Sequence, residues 1–242
     1  MRNIKLTLSY DGTDFNGWQA QPGFRTVQET LEQAIGTLTG ETIRVNASGR
    51  TDAGVHAVGQ VVNFYTTTSH PPDVLVRAIN AHLPPDVVVR EAVDKPQAFD
   101  ANRDARRKLY RYVIHDGPVP DPFLRRYAHS TRRRLDVAAM RRAAEPLCGR
   151  HDFHSFETNW PNRMSSVRTI THLSVNRGGD WIWLDVEADG CHGGLLRPVL
   201  GHGRQGRAAT DQRFRTGHGV TSLSFTAKTP LPAGGAAFLF NF

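Results

Sequence analysis

An α+β fold with a largely antiparallel sheet follows from three features of residues 1–102. Short segments alternate apolar with polar residues, capped helical stretches stand between them, and the connections are of hairpin length. In the first strand Ile4, Leu6, Leu8 and Tyr10 alternate with Lys5, Thr7 and Ser9, the period of a sheet with one buried face. Asp11-Gly12-Thr13 then turns the chain into an irregular stretch, Phe15 to Pro22, that carries Phe15, Trp18 and several amides. Thr26-Val27-Gln28-Glu29 predicts a capping box, and Val27, Leu31, Ala34, Ile35 and Leu38 fall on one face of the helix that Gly40 ends. Strands are expected at Ile43–Ala47 and Gln60–Thr66, with Val62 and Phe64 on one face, so Asp52 lies on the connection between them. Pro71-Pro72-Asp73 opens a second helix with Val74, Ala78 and Ile79 facing inward, Pro84-Pro85 stops it, and Val87–Glu91 is a further strand.

Between Phe99 and Arg107 the chain turns basic and loop-like, which divides it into halves 1–102 and 103–242. Lys108–Ile114 alternates again, with Tyr110, Tyr112 and Ile114 on one face. Asp136 caps a helix whose Val137, Met140, Ala143, Ala144 and Leu147 face the core, with Gly149 closing it. Val167–Asn176 and Trp181–Glu187 read as a hairpin around Gly178-Gly179.

Composition narrows the function classes. The 242 residues are 39% hydrophobic, yet no run approaches the roughly 20 apolar residues of a membrane helix. Met1-Arg2-Asn3-Ile4 enters the first strand directly instead of an apolar signal core, so export is not expected. Cys148 and Cys191 are too few and too separated for a disulfide framework or a four-ligand zinc site, and a reducing cytoplasm fits them best. The His151-Asp152-Phe153-His154 run lacks a further ligand cluster, which argues against a metal centre. A net charge of +7 and a pI of about 9.9 favour a polyanionic partner. Basic residues gather at Arg103–Arg111, Arg125-Arg126, Arg132–Arg134 and Arg141-Arg142, several beside Tyr110, Tyr112 and Tyr127. Guanidinium groups interleaved with aromatic rings suit phosphates and unstacked bases.

The stretch that carries chemistry is Ser48-Gly49-Arg50-Thr51-Asp52-Ala53-Gly54-Val55-His56-Ala57. It sets a lone carboxylate between glycines, two residues after an arginine whose charge favours the ionised form in a dry site. An Arg-x-Asp-x-Gly string alone is an ordinary surface turn with an ion pair. The complete string resembles the Gly-Arg-Thr-Asp-Ala-Gly-Val-His-Ala signature of the tRNA pseudouridine synthase A family. Three further segments resemble the same family: Asp11-Gly12-Thr13 to Gln21, Lys108 to Ile114, and Gly149 to Phe156.

What the resemblance implies is specific. Asp52 would be the essential catalytic residue with Arg50 as its companion, and Tyr110, with Lys108 before it, would meet the substrate base. The activity would be conversion of uridine to pseudouridine at positions 38 to 40 of the tRNA anticodon arm, without metal or organic cofactor. The fold would be two similar α+β halves whose sheets join across a central cleft, with helices packed on one side, in a homodimer. Arg197, which keeps the family's Arg-x-x-x-Gly spacing with Gly201, would face the aspartate as a charge partner.

From about 191 to 222 the resemblance breaks. Cys191 stands where the family has an aromatic residue, Gly193, Gly194 and Pro198 are poor helix formers, and apolar periodicity is absent. The pattern returns over Phe225–Phe242, with a strand-like ending at Ala237–Phe242, so the interruption has the form a local reading-frame change in the coding DNA would produce. A second reading therefore stands beside the enzyme: a non-catalytic RNA-binding module, or an inactive relative.

Overall fold

The computed structural model describes residues 1–153 and 166–189, together with the backbones of Gln212–Thr216, Gly219–Leu223 and Ala237–Asn241. Arg197, and with it His154 and most of the atypical stretch, lies outside the described residues. The chain forms two compact units, Met1–Leu109 with Ala237–Phe242, and Tyr110–Ala236.

In the first unit β1 (Arg2–Tyr10) lies between β3 (His56–Thr66) and β4 (Val87–Lys95), antiparallel to both. The register sets Ile4 opposite Phe64 and Leu6 opposite Val62, all fully buried, so the alternation read from β1 is the inner face of this sheet. Each such side chain contributes about 1.5–3 kcal/mol by leaving water. β12 (Ala237–Asn241) adds a parallel strand on β3, and β2, only Asn46–Ala47, pairs antiparallel with it. Helices α1 (Val27–Thr39) and α2 (Pro72–His82) pack on each other, and α2 packs on β4.

Three expectations need correction here. Thr26 makes no side-chain cap, because tertiary carbonyls take the first amides of α1: Gly17 accepts from Val27 and Trp18 from Gln28. The strand expected over Ile43–Ala47 shrinks to β2, since the Val45 amide donates to the Glu32 carboxylate at 3.0 Å. In α2 the fully buried residues are Leu75 and Ile79, with Val74 and Ala78 half-buried, so the inward face is turned from the one expected. Gly40 ends α1 in the left-handed conformation as expected, at φ 72°.

Buried amides fix the approach to the next strand. Asn63 donates to Asn3 and accepts from Ala101, and Asn3 donates to the Phe99 carbonyl. These bonds tie the 99–101 segment to β1 and β3 ahead of β5 (Arg107–His115), which carries the chain into the second unit.

The second unit's sheet runs β5, β9 (Trp181–Asp189), β8 (Val167–Gly178) and β7 (Gly149–Asp152), with β6 (His129–Ser130) parallel to β5. β8 and β9 are the expected hairpin, with Gly179 at φ 61° in its turn. Asp136 caps α3 (Val137–Ala144), its carboxylate accepting from the Ala139 amide at 2.9 Å. Val137, Ala144, Val175 and Ile182 form the core, joined at its edge by Ile114, Leu135 and Met140. A buried carboxylate braces this unit: Asp116 accepts from Arg177 at 2.6 Å and from the Leu135 amide at 2.9 Å. Within the atypical stretch, β10 (Gln212–Thr216) and β11 (Gly219–Leu223) pair as a two-stranded ladder that periodicity did not reveal.

Candidate active site around Asp52

Asp52 opens the last tight turn before β3. The Val55 amide donates to the Asp52 carbonyl at 3.1 Å, and Gly54, at φ 78°, takes the left-handed conformation that such turns assign to glycine. Asp52 is half-buried, Thr51 buried and Arg50 exposed, so the loop gives its central carboxylate partial shelter.

The loop is fastened from behind by two residues of its own unit. Gln60 on β3 donates its amide to the Gly49 carbonyl at 2.5 Å, and the Lys108 side chain covers the face of Gly49 where a Cβ would stand. A Cβ there would lie 2.7 Å from Lys108 Nζ, so glycine at this position keeps a buried ammonium against the loop, three residues before Asp52. Long lysine side chains are rarely buried this deeply unless their charge is compensated.

The stretch following β1 fastens the other side. The Trp18 amide donates to the Thr51 carbonyl at 3.0 Å, and the Gly54 amide donates to the Phe15 carbonyl at 3.3 Å. Gly12 lies so close to the Val55 carbonyl, and Gly17 to the Thr51 carbonyl, that neither leaves space for a side chain. Gly17 is also at φ 88°. Phe15 and Trp18 are buried, and Arg25 stacks 4.0 Å above the Phe15 ring while paired with Asp86.

Two side chains from β1 and β3 complete this anchorage. The Tyr10 hydroxyl lies 2.8 Å from Thr51 Oγ1, and burial pushes the Tyr10 phenol well above its ordinary range, so it stays protonated. His56 Nδ1 sits 3.1 Å from the Gly12 amide and 3.0 Å from Asp11 Oδ1. In the tautomer protonated at Nε2 that nitrogen accepts from Gly12; with a proton on Nδ1 it donates to Asp11.

Of the residues singled out in the sequence, Asp52, Arg50 and Lys108 meet at one loop of the first unit. Tyr110 is the first residue of the second unit, buried on β5, with Tyr112 and Ile114 half-buried on the same strand. Sequence reasoning missed the anchoring parts of Tyr10 and Gln60. Tyr10 read as one more apolar position of β1; a polar residue such as Gln60, fully buried inside a strand, was the available signal. His151, a metal candidate by type, places Nε2 at 2.8 Å from the Cys148 carbonyl.

Comparison with known proteins gives this geometry a family. Residues 7–102 match the family profile described as tRNA pseudouridine synthase. The chain is 40% identical over 201 residues to tRNA pseudouridine synthase A of Acetivibrio thermocellus, covering 83% of this chain and 82% of that protein. It is 44% identical over 202 residues to the protein of the same name from Halalkalibacterium halodurans, covering 83% and 77%. A third, from Moorella thermoacetica, is 44% identical over 200 residues, covering 82% and 81%. Among solved structures, the archaeal box H/ACA sRNP Nop10-Cbf5 complex aligns at TM-score 0.36 and 13% identity, over 81% of this chain and 41% of that one. On the sequence relationships, the chain belongs to the tRNA pseudouridine synthase A family.

Proposed function

We propose that this pseudouridine synthase isomerises uridines 38 to 40 of the tRNA anticodon arm, with Asp52 as the reacting carboxylate. The observation that supports this reading best is the anchorage of one loop by residues distant in sequence: a half-buried carboxylate stands in a turn held on one side by Gln60 and Lys108 and on the other by Tyr10 and Trp18. A reaction that depends on one carboxylate requires it to be held in place.

In the isomerisation the N1 to C1′ bond breaks, the base turns over, C5 joins C1′, and the C5 proton leaves while N1 gains one. Asp52 acts either as nucleophile at C1′ or as base toward the 2′ proton, and both routes begin from an ionised carboxylate. Lys108 and Arg50 supply positive charge around the loop, the family resemblance gives Arg197 the part of charge partner to Asp52, and Tyr110 stacks on or hydrogen-bonds the extruded base. Pulling a base from a stem costs a few kcal/mol, which phosphate contacts along the arginine-rich segments offset. The protein works as a homodimer in the cytoplasm, without a metal or organic cofactor.

The test is to incubate the purified protein with an unmodified tRNA transcript bearing uridines at 38 to 40 and to map pseudouridine by carbodiimide-dependent reverse-transcription stops. Stops at those positions are expected. Modification confined to other positions would refute the anticodon-arm assignment. Tight tRNA binding with no pseudouridine anywhere would favour the second reading, an RNA-binding or inactive relative altered between 191 and 222.

A further inference from the structure

We propose that Tyr10 is a positioning residue for the reaction, acting through its hydroxyl on Thr51 to hold the Asp52 turn in its reactive place. The inference rests on Asp52 being the reacting carboxylate, and adds a buried residue 42 positions away in the sequence.

Tyr10 ends β1 in the inward register, paired with Ala57 of β3 and Val87 of β4. It is 4% exposed, so RNA cannot reach it. A neutral phenol buried this deeply needs a polar partner, and Thr51 Oγ1 supplies it at 2.8 Å. Thr51 is the residue before Asp52. Its carbonyl is taken by the Trp18 amide and its hydroxyl by Tyr10, so these two groups just ahead of the carboxylate are fixed by residues flanking the 11–17 stretch. Gly17 fills the space beside the same carbonyl.

The consequence follows from leverage. Freeing the Thr51 side chain leaves the residue held by its carbonyl alone, so one of the two constraints that place Asp52 is lost. A misplacement on the order of 1 Å at a reacting group can cost about 10²-fold in rate. Tyr10→Phe keeps the ring against Trp18, whose centroid is 6.3 Å away, and removes only the hydroxyl. The loss should therefore fall on the chemical step and leave tRNA binding alone.

The experiment is single-turnover release of tritium from C5 of uracil in tRNA with enzyme in excess, a rate insensitive to the fraction of inactive protein, alongside tRNA affinity. Tyr10→Phe and Thr51→Val should each slow the step roughly tenfold with affinity within about twofold, on the scale expected for a small displacement of a reacting group. Thr51→Ser, which keeps the hydroxyl, should stay near the wild-type rate. The double variant should be no slower than the worse single one, because both remove one interaction. A wild-type rate for Tyr10→Phe, or losses that multiply in the double variant, would overturn the proposal. If Thr51→Val fails to fold, Tyr10→Phe against Thr51→Ser still decides it. The underlying assignment fails separately: an active Asp52→Asn would sink that, whereas an inactive Asp52→Asn beside a fully active Tyr10→Phe sinks only the role of Tyr10.

Discussion

The Trp18 amide holds the Thr51 carbonyl at 3.0 Å, and Gly17, one residue earlier, presses against that same carbonyl at φ 88°. Substituting alanine at Gly17 therefore meets two obstacles. The left-handed backbone costs about 1–2 kcal/mol for a residue with a Cβ, and the new carbon would sit 2.7 Å from the Thr51 oxygen. Gly54, at φ 78° with open space around it, meets only the first. Gly17→Ala should destabilise the protein more than Gly54→Ala in urea unfolding; equal losses would mean that the loop and the 11–18 stretch are not in close contact.

At Gly49 the obstructing atom is the end of the Lys108 side chain, and the prediction is one of coupling. Gly49→Ala should displace the ammonium and lower the rate on the order of tenfold. In a Lys108→Ala background the same change should cost much less, since the space is already empty. Equal losses in both backgrounds, measured by tritium release, would separate the two residues.

Much of this architecture can be read from residue order, for a physical reason. β1, β3 and the β8–β9 hairpin each bury one face, so their alternation survives in the sequence, and the Asp136 cap and Gly40 stop are local features satisfied within a turn. Thr26 misled because the α1 amides are satisfied by Gly17 and Trp18, across a loop. The short β2 has the same cause, a Glu32 carboxylate from the neighbouring helix taking a strand amide. The carboxylate loop was legible as a string of letters. Its anchorage was not, because Tyr10 and Gln60 reach Thr51 and Gly49 only after β1 and β3 have paired.

Tyr10 also sets an alkaline limit. Its folded pKa lies above the unfolded value of about 10, so its burial contributes full stability below that pH and loses it above, where the unfolded phenol ionises and the folded one does not. The wild type should lose about 1.4 kcal/mol per pH unit from this group above pH ~10, and Tyr10→Phe should show a correspondingly shallower decline. Urea titrations from pH 9 to 11 give the comparison, and parallel slopes would contradict the burial of the phenol.

The second unit has the opposite dependence. Arg177 first, then the Leu135 amide and Arg134, hold the Asp116 carboxyl below the usual carboxylate range against the cost of burial. Its stabilisation is present above pH ~4 and is lost as the pH falls through the depressed folded value. Asp116→Asn removes the carboxylate that Arg177 pairs with, leaving it the Gly179 and Leu135 carbonyls, and should cost about 1–3 kcal/mol, with less sensitivity to acid than the wild type. A loss under 1 kcal/mol at neutral pH would show that Arg177 finds solvent instead.

The most direct measurement is tritium release from C5-labelled uracil in tRNA by the wild type and by Asp52→Asn, with tRNA affinity recorded for both. Asp52→Asn keeps the size of the side chain and removes its charge, so the expected result is normal binding with release at background. Release by Asp52→Asn at a rate near the wild type would contradict the assignment of this carboxylate as the reacting group.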